Sequence, residues 1–237
     1  VKHQPAEPYS LSNNTIKAIF KPQQAALWIG TNTNGLNRYD QQSGQFVHFK
    51  HQRSDPHSLS DDRIRSILQD KKGRLWIGTA GGGLNLFDHQ TQRFKHWLND
   101  KGDPHSLSNN RVIALLEDSD GVLWLGTWGG GLNRFDPQTG KFSHFRHDEA
   151  NPFSLSHDKI STLFEDRKGT LWVGTAGGGL NRFDRQSQQF DHYKHQASVN
   201  HSISHNNITT IHEDRKGTLW ISTFGGGLNK YEVNKGR

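Results

Sequence analysis

Histidine is the residue type that first suggests chemistry here: 15 His among 237 residues could hold metal ions or carry protons. Most fall in two columns. His48, His96, His144 and His192 lie 48 residues apart, and so do His3, His51, His147 and His195, with Asn99 at the remaining position of that column. The columns are offset by three residues, which on a strand points them to opposite faces, so they do not converge on a metal. They read as half-exposed histidines of outer strands, gaining charge as pH falls toward about 6.5. No metal centre and no cofactor are expected.

Other chemical signatures resolve into turns. The Gly-Gly-Gly runs that start at Gly81, Gly129, Gly177 and Gly225 resemble phosphate cradles, but a cradle needs a following helix N-terminus and a strand follows instead. Asp118-Ser119-Asp120-Gly121 opens like a calcium loop without the bidentate Glu at its twelfth position. No nucleophile, base and orienting group recur as a set, so no catalytic residue is assigned and an enzyme is not expected. The net charge is +6. Lys71-Lys72, Arg167-Lys168 and Arg215-Lys216 fall in turns between first and second strands, where repeats one and three carry Gln23-Gln24 and Ser119-Asp120. An incomplete basic ring of this kind fits solvation better than a nucleic-acid partner.

Aromatic residues outside the repeat pattern are the sharpest lead. Five of the seven Trp form one column and Trp97 shares another with Phe49, Phe145 and Tyr193. That leaves Trp128, in a column otherwise holding Asn32, Ala80, Ala176 and Phe224; Tyr9 and Phe153 share a loop column with His57, His105 and His201. If strands alternate in direction, the loops before each first strand and the turns after each second strand open on one face, which then carries all four aromatics. Thr15, Arg63, Arg111, Lys159 and Asn207 begin the innermost strands near that rim, suited to orienting an anionic or hydroxylated ligand. The candidate ligand-binding set is Trp128, Phe224, Asn32, Tyr9, Phe153, Arg63, Arg111 and Lys159. Loops on a rigid scaffold are where binding usually resides.

The elements that must position these residues follow from the repeat. Trp28, Trp76, Trp124, Trp172 and Trp220 stand at an unbroken 48-residue spacing, each inside a Leu-Trp-x-Gly/Ser-Thr segment. In the third unit, Arg111 to Leu116 reads as a strand, Asp118 to Gly121 as a hairpin turn and Val122 to Thr127 as a second strand. Leu132 to Asp136 and Phe142 to His147 follow as the third and fourth. Four-stranded antiparallel units at this period predict an all-β chain: a β-propeller of five 48-residue blades forming a single domain over 1–237, with repeats beginning near Ser10, Ser58, Ser106, Ser154 and Ser202. The Trp and its apolar neighbours are expected to fill the wedge between adjacent sheets. The low hydrophobic content, 31%, fits short strands diluted by polar turns.

Val1-Lys2-His3 aligns with Phe49-Lys50-His51, the tail of a fourth strand, and Lys235-Gly236-Arg237 aligns with residues just before one. Val1 to His3 is therefore expected to complete the fifth blade and close the ring; the alternative is a five-blade part of a larger ring, which would expose sheet edges and self-associate. The chain has no Cys, does not begin with Met, and has no apolar run long enough to span a membrane. An excised, processed or engineered segment would read this way.

The string Ser106-Leu107-Ser108-Asn109-Asn110, with Glu117-Asp118, Gly121-Val122-Leu123-Trp124 and Gly129-Gly130-Gly131-Leu132-Asn133-Arg134-Phe135-Asp136, resembles the two-component regulator propeller repeat, and all five units carry it. In that family such repeats form the extracytoplasmic sensor portion of hybrid histidine kinases, and similar propellers precede diguanylate cyclase modules; the rings usually have seven blades. The resemblance implies a non-enzymatic sensing propeller on the periplasmic or extracytoplasmic side. Its partner would be a small molecule, an oligosaccharide or a protein on the aromatic-bearing face. Two other readings stand beside it: a bare repeat scaffold without its own ligand, and a repeat lectin with one sugar site per blade.

Overall fold

The computed structural model describes residues 2–21 and 26–232, and these contain strands and turns with no helix. They form two compact units, Val1–Leu115 and Leu116–Arg237. In the first, β1 (Ile16–Phe20), β2 (Leu27–Thr31), β3 (Leu36–Tyr39) and β4 (Phe46–Phe49) make one sheet in chain order. A second sheet contains β5 (Ile64–Gln69), β6 (Leu75–Thr79), β7 (Leu84–Phe87) and β8 (Phe94–Trp97). The third sheet runs β9 (Val112–Glu117), β10 (Leu123–Thr127), β11 (Leu132–Asp136) and β12 (Lys141–Phe145), with β9 crossing the division between units. The second unit continues with β13 (Ile160–Glu165), β14 (Leu171–Thr175), β15 (Leu180–Asp184) and β16 (Gln189–Tyr193). A fifth sheet follows, of three strands among the described residues: β17 (Ile208–Glu213), β18 (Thr218–Thr223) and β19 (Gly227–Glu232). The architecture is all-β, and the first four sheets are the four-stranded antiparallel blades that the 48-residue period predicts.

The Leu-Trp-x-Gly-Thr strands are buried at all five positions in β6, β10 and β14. A strand whose side chains are buried on both faces lies in a sheet covered on both sides. The cover is the neighbouring repeat. In the first unit Trp28, Leu36 and Phe49 pack with Leu59, Ile64, Leu75, Ile77 and Phe87 of the next repeat. In the second, Trp124 and Leu132 pack with Leu155, Ile160, Leu171 and Phe183, and Trp172 and Leu180 with Ile208, Leu219 and Ile221. Three of the indoles meet the third-strand aromatic of the following sheet: Trp28 and Phe87 at 5.1 Å, Trp124 and Phe183 at 5.4 Å, Trp172 and Tyr231 at 5.6 Å. The expected wedge packing is thus what the structure contains, except that Trp220 in the fifth sheet is half-buried. The strand-centre glycine permits this approach: a Cβ on Gly174 would lie 2.7 Å from Ile208 Cγ2.

In the third repeat the strands shift by a residue or two from expectation. The fourth ends at Phe145 rather than His147, because His147 is held by the next loop: its N–H donates to Asp158 Oδ1 at 2.8 Å and its ring to the Leu155 carbonyl at 2.8 Å. The expected pairing of Val1 to His3 with the fifth sheet falls partly on Val1, which lies outside the described residues. Lys2 and His3 form no strand; His3 instead bonds Asn14 and Leu11 as His147 bonds its own loop.

Candidate functional site

The recurring polar residues are scaffold, and the geometry gives each a task. His48, His96 and His192 donate from Nε2 to the carbonyls of Ser10, Ser58 and Ser154 at 2.7–2.8 Å. His51, His147 and His195 donate from Nδ1 to the carbonyls of Leu59, Leu155 and Ile203 at 2.8 Å. A carbonyl only accepts, so the proton's position on each ring is set by its partner. Asn99 fills the same place with its amide, Nδ2 donating to the Leu107 carbonyl at 2.7 Å. Both columns therefore tie the loop that precedes a first strand, and among the described residues no group of three His, Cys, Asp or Glu is arranged to hold a metal.

A second scaffold residue escaped the sequence reading. Asp70, Asp118, Asp166 and Asp214 each accept the indole N–H of the tryptophan six residues on, at 2.7–2.9 Å. Asp118 thus belongs to a tryptophan clasp, and the Asp-x5-Trp spacing in four repeats was the available signal. Position 22, where the first repeat carries Pro22, lies outside the described residues. Burial alone would raise the Asp70 and Asp118 carboxyls, but the indole and neighbouring arginine and backbone donors outweigh it and hold both below the usual carboxylate value.

With those residues accounted for, variation concentrates where the turn after the second strand meets the residue before the first. Asn32 N–H donates to the Thr15 carbonyl, Ala80 to Arg63, Ala176 to Lys159 and Phe224 to Asn207, all at 2.8–2.9 Å. Two sequence columns, each variable and exposed or half-buried at most positions, are thus neighbours in space. The first strand is also bulged just beyond: pairing skips Lys17, Arg65, Ser161 and Thr209. A bulge re-aims the skipped side chain.

In the first unit this locus is cationic. Arg63 engages Asp61 through two bonds, Nη2 to Oδ2 at 2.6 Å and Nε to Oδ1 at 3.0 Å, and the pair lies over Gly81, where a Cβ would stand 2.5 Å from Arg63 Nη2. Burial would raise the Asp61 carboxyl, yet the hydrogen bonds and charge of Arg63 keep it low. Arg65, from the bulge, donates through Nη1 to Asn32 Oδ1 at 3.1 Å and to the Ile64 carbonyl at 3.0 Å. Burial, then the like charges of Arg63 and Arg111, lower its pKa from the ordinary arginine value, with Asp61 opposing. Arg111 is exposed and follows Asn110, whose carbonyl accepts the Gly83 N–H at 2.9 Å. Arg65 and Asn32 thus meet, with the Arg63–Asp61 pair acting on Arg65 through its charges; Arg65 was not in the candidate set, and its bulge is invisible to a column count.

In the second unit the locus is aromatic and basic. Trp128 is half-buried, bridges to Lys159 through the backbone, and has the Lys159 Nζ 6.0 Å from its ring centroid. Phe224 is 73% exposed. Phe153, 52% exposed, lies elsewhere: its carbonyl accepts the N–H of Phe190 on β16, at the far edge of the sheet from Lys159 beside β13. Three strand spacings put them about 14 Å apart. Tyr9 in the first unit is placed like Phe153, its carbonyl accepting from Phe46 on β4. The candidate residues therefore divide into an inner set at the first strand and an outer pair at the fourth. A hollow of about 590 Å³ beside β19, lined in part by Tyr193, His201, Ile203 and Tyr231, includes none of them.

Four segments, residues 58–81, 106–129, 154–177 and 202–225, match the family model of the two component regulator propeller. No curated protein matches. Among solved structures, the extracellular domain of BT3049 from B. thetaiotaomicron, named as a hybrid two component system, superposes with a TM-score of 0.70 at 23% identity, over 97% of this chain and 35% of that one. The chain thus spans about a third of that relative's length. Virginiamycin B lyase from Staphylococcus aureus superposes with a TM-score of 0.64 at 14% identity, over 92% of this chain and 70% of that one. At these identities the likeness is one of β-propeller fold.

Proposed function

Because this chain carries two-component regulator propeller repeats, we propose that it is a non-enzymatic, ligand-sensing β-propeller of a bacterial signalling receptor, acting on the extracytoplasmic side. The observation that carries the reading is the adjacency of the two variable columns. Where the repeat needs a residue, the residue recurs and makes a scaffold bond; where Thr15 meets Asn32, Arg63 meets Ala80, Lys159 meets Ala176 and Asn207 meets Phe224, the residues differ and make the surface differ. A ligand sensor needs such a non-equivalent surface on a rigid frame. A lectin with one sugar site per repeat would need like residues at each pair, and the pairs are unlike.

The reading is tested by calorimetric titration of the protein with a panel of oligosaccharides, organic acids and phosphorylated metabolites, followed by Trp128→Ala/Phe224→Ala on any ligand found. Loss of an aromatic stacking face should weaken binding by about tenfold or more. A verified ligand bound equally well by the double variant would remove Trp128 and Phe224 from the site, and turnover of any panel compound would replace sensing by catalysis.

A further inference from the structure

We propose that the Arg65 guanidinium, two residues along the chain from Arg63, is an oxyanion-binding site that takes a carboxylate or phosphate group of a small-molecule ligand. The inference rests on the sensor reading for its biological meaning but not for its chemistry. All of its residues lie in the first unit.

Arg65 occupies a bulge, so its backbone is excused from the ladder and its side chain is turned back toward Asn32 of the preceding sheet. Only Nη1 is engaged there: both of its acceptors, Asn32 Oδ1 and the Ile64 carbonyl, are neutral. Among the described residues the Nε and Nη2 groups of Arg65 make no hydrogen bond and no carboxylate pairs with it. A half-buried guanidinium with no carboxylate in hydrogen-bond contact is costly to hold, and the charge of Asp61 that acts on it is opposed by that of Arg63. The free edge of a guanidinium presents two parallel N–H donors, the geometry that matches a carboxylate or a phosphate.

The local charges leave this cation in excess. Asp61 is the nearby carboxylate, and Arg63 holds both of its oxygens. Asp62 faces the other way, accepting the His51 N–H at 2.7 Å. Gly81 leaves open the space over which the Arg63–Asp61 pair lies. Asn32 contributes an amide that fixes the orientation of Arg65, so that the donor edge is pre-set before a ligand arrives.

The test is titration of the whole protein at constant ionic strength with sodium galacturonate, inorganic phosphate and, as the neutral arm, galactose, read by calorimetry and by the 1H–15N spectrum. Saturable binding of galacturonate or phosphate, with galactose silent, is expected; whichever anion binds tighter identifies the source of the oxyanion. Arg65→Gln should weaken binding by about tenfold or more, because a hydrogen bond to a charged group is lost. Asp61→Asn should strengthen it about fivefold by releasing Arg63 and removing a competing charge. That gain cannot come from misfolding. Failure of both anions to bind, or equal binding in wild type, Arg65→Gln and Asp61→Asn, would overturn the site. Absence of anion binding alongside a ligand response that depends on Trp128 would remove this inference and leave the sensor reading standing.

Discussion

The indole N–H of Trp124 donates to Asp118 Oδ2 at 2.7 Å, and Arg185 Nη1 donates to the same oxygen at 2.7 Å. Asp118 is fully buried while Arg185 is one-third exposed and reaches Glu165 with its other nitrogen at 2.9 Å. One carboxylate thereby fastens the tryptophan of the third repeat to a side chain of the fourth. Removing it leaves the buried indole donor without an acceptor, while Arg185 keeps Glu165, so Asp118→Ala is expected to cost about 2 kcal/mol, read as a lower urea midpoint. Arg185→Met, which leaves the Trp124 bond in place, should cost less.

Acid should loosen the same clasps. The carboxyls of Asp70, Asp118 and Asp214 lie below their reference value of 3.8 in the folded chain, and the hydrogen bond from Trp220 chiefly takes Asp214 to about 2. A depressed folded value means that the unfolded chain binds the proton first. Their contribution is therefore complete above pH 3.8 and is lost as pH falls through the folded values, toward about 2 for Asp214. The thermal midpoint should drop through this window, and the drop should be shallower in Asp214→Asn. Equal slopes would disconnect the clasp from acid stability.

The Asn99 substitution offers a natural control for the second histidine column. Its amide makes the bond that His51, His147 and His195 make with a ring N–H. His147→Asn should therefore stay within about 0.5 kcal/mol of the parent, whereas His147→Leu, which leaves the Leu155 carbonyl without its donor, should lose about 1–2 kcal/mol. Chemical denaturation of the two variants separates a loop tie from a proton-carrying role.

Gln92 and Gln188 adopt left-handed backbone, with φ of 55° and 57°, at the turn position that Gly44 and Gly140 fill in other repeats with φ of 70° and 73°. A side chain is strained there. Gln188→Gly is expected to stabilise by about 0.5–1 kcal/mol, an unusual sign for a glycine substitution, and a rise in thermal midpoint would show it.

Gly174 tests the spacing between sheets. A Cβ there would lie 2.6 Å from Thr162 Cγ2 and 2.7 Å from Ile208 Cγ2, so Gly174→Ala should cost about 1–3 kcal/mol. At the equivalent position the fifth repeat carries Ser222, whose hydroxyl bonds Thr209 at 2.6 Å, so Ser222→Ala should be far milder. Comparable losses at both positions would argue against close packing as the reason for glycine.

The blades were legible in the residues themselves. Tryptophan at a constant interval, glycine and aspartate at the turns and alternating short apolar runs specify strands and hairpins by local chemistry, and the repetition makes each unit a check on the next. Scaffold histidines were recognisable as columns, though not as loop ties, because a column records that a residue recurs and not what it touches. Asp70 and its equivalents were passed over for the same reason: the hairpin explained them locally, and their indole partner appears only when the second strand folds back beside the turn. Placing the variable residues required the tertiary structure. Trp128 and Lys159 become neighbours while Phe153 goes to the opposite edge of its sheet, since strand order, and not separation along the chain, sets distance across a blade. Arg65 shows the limit most clearly. Its type and number were always visible, but a bulge in the pairing with β6 turns its charge toward Asn32, and pairing register is a property of two strands together that neither carries alone.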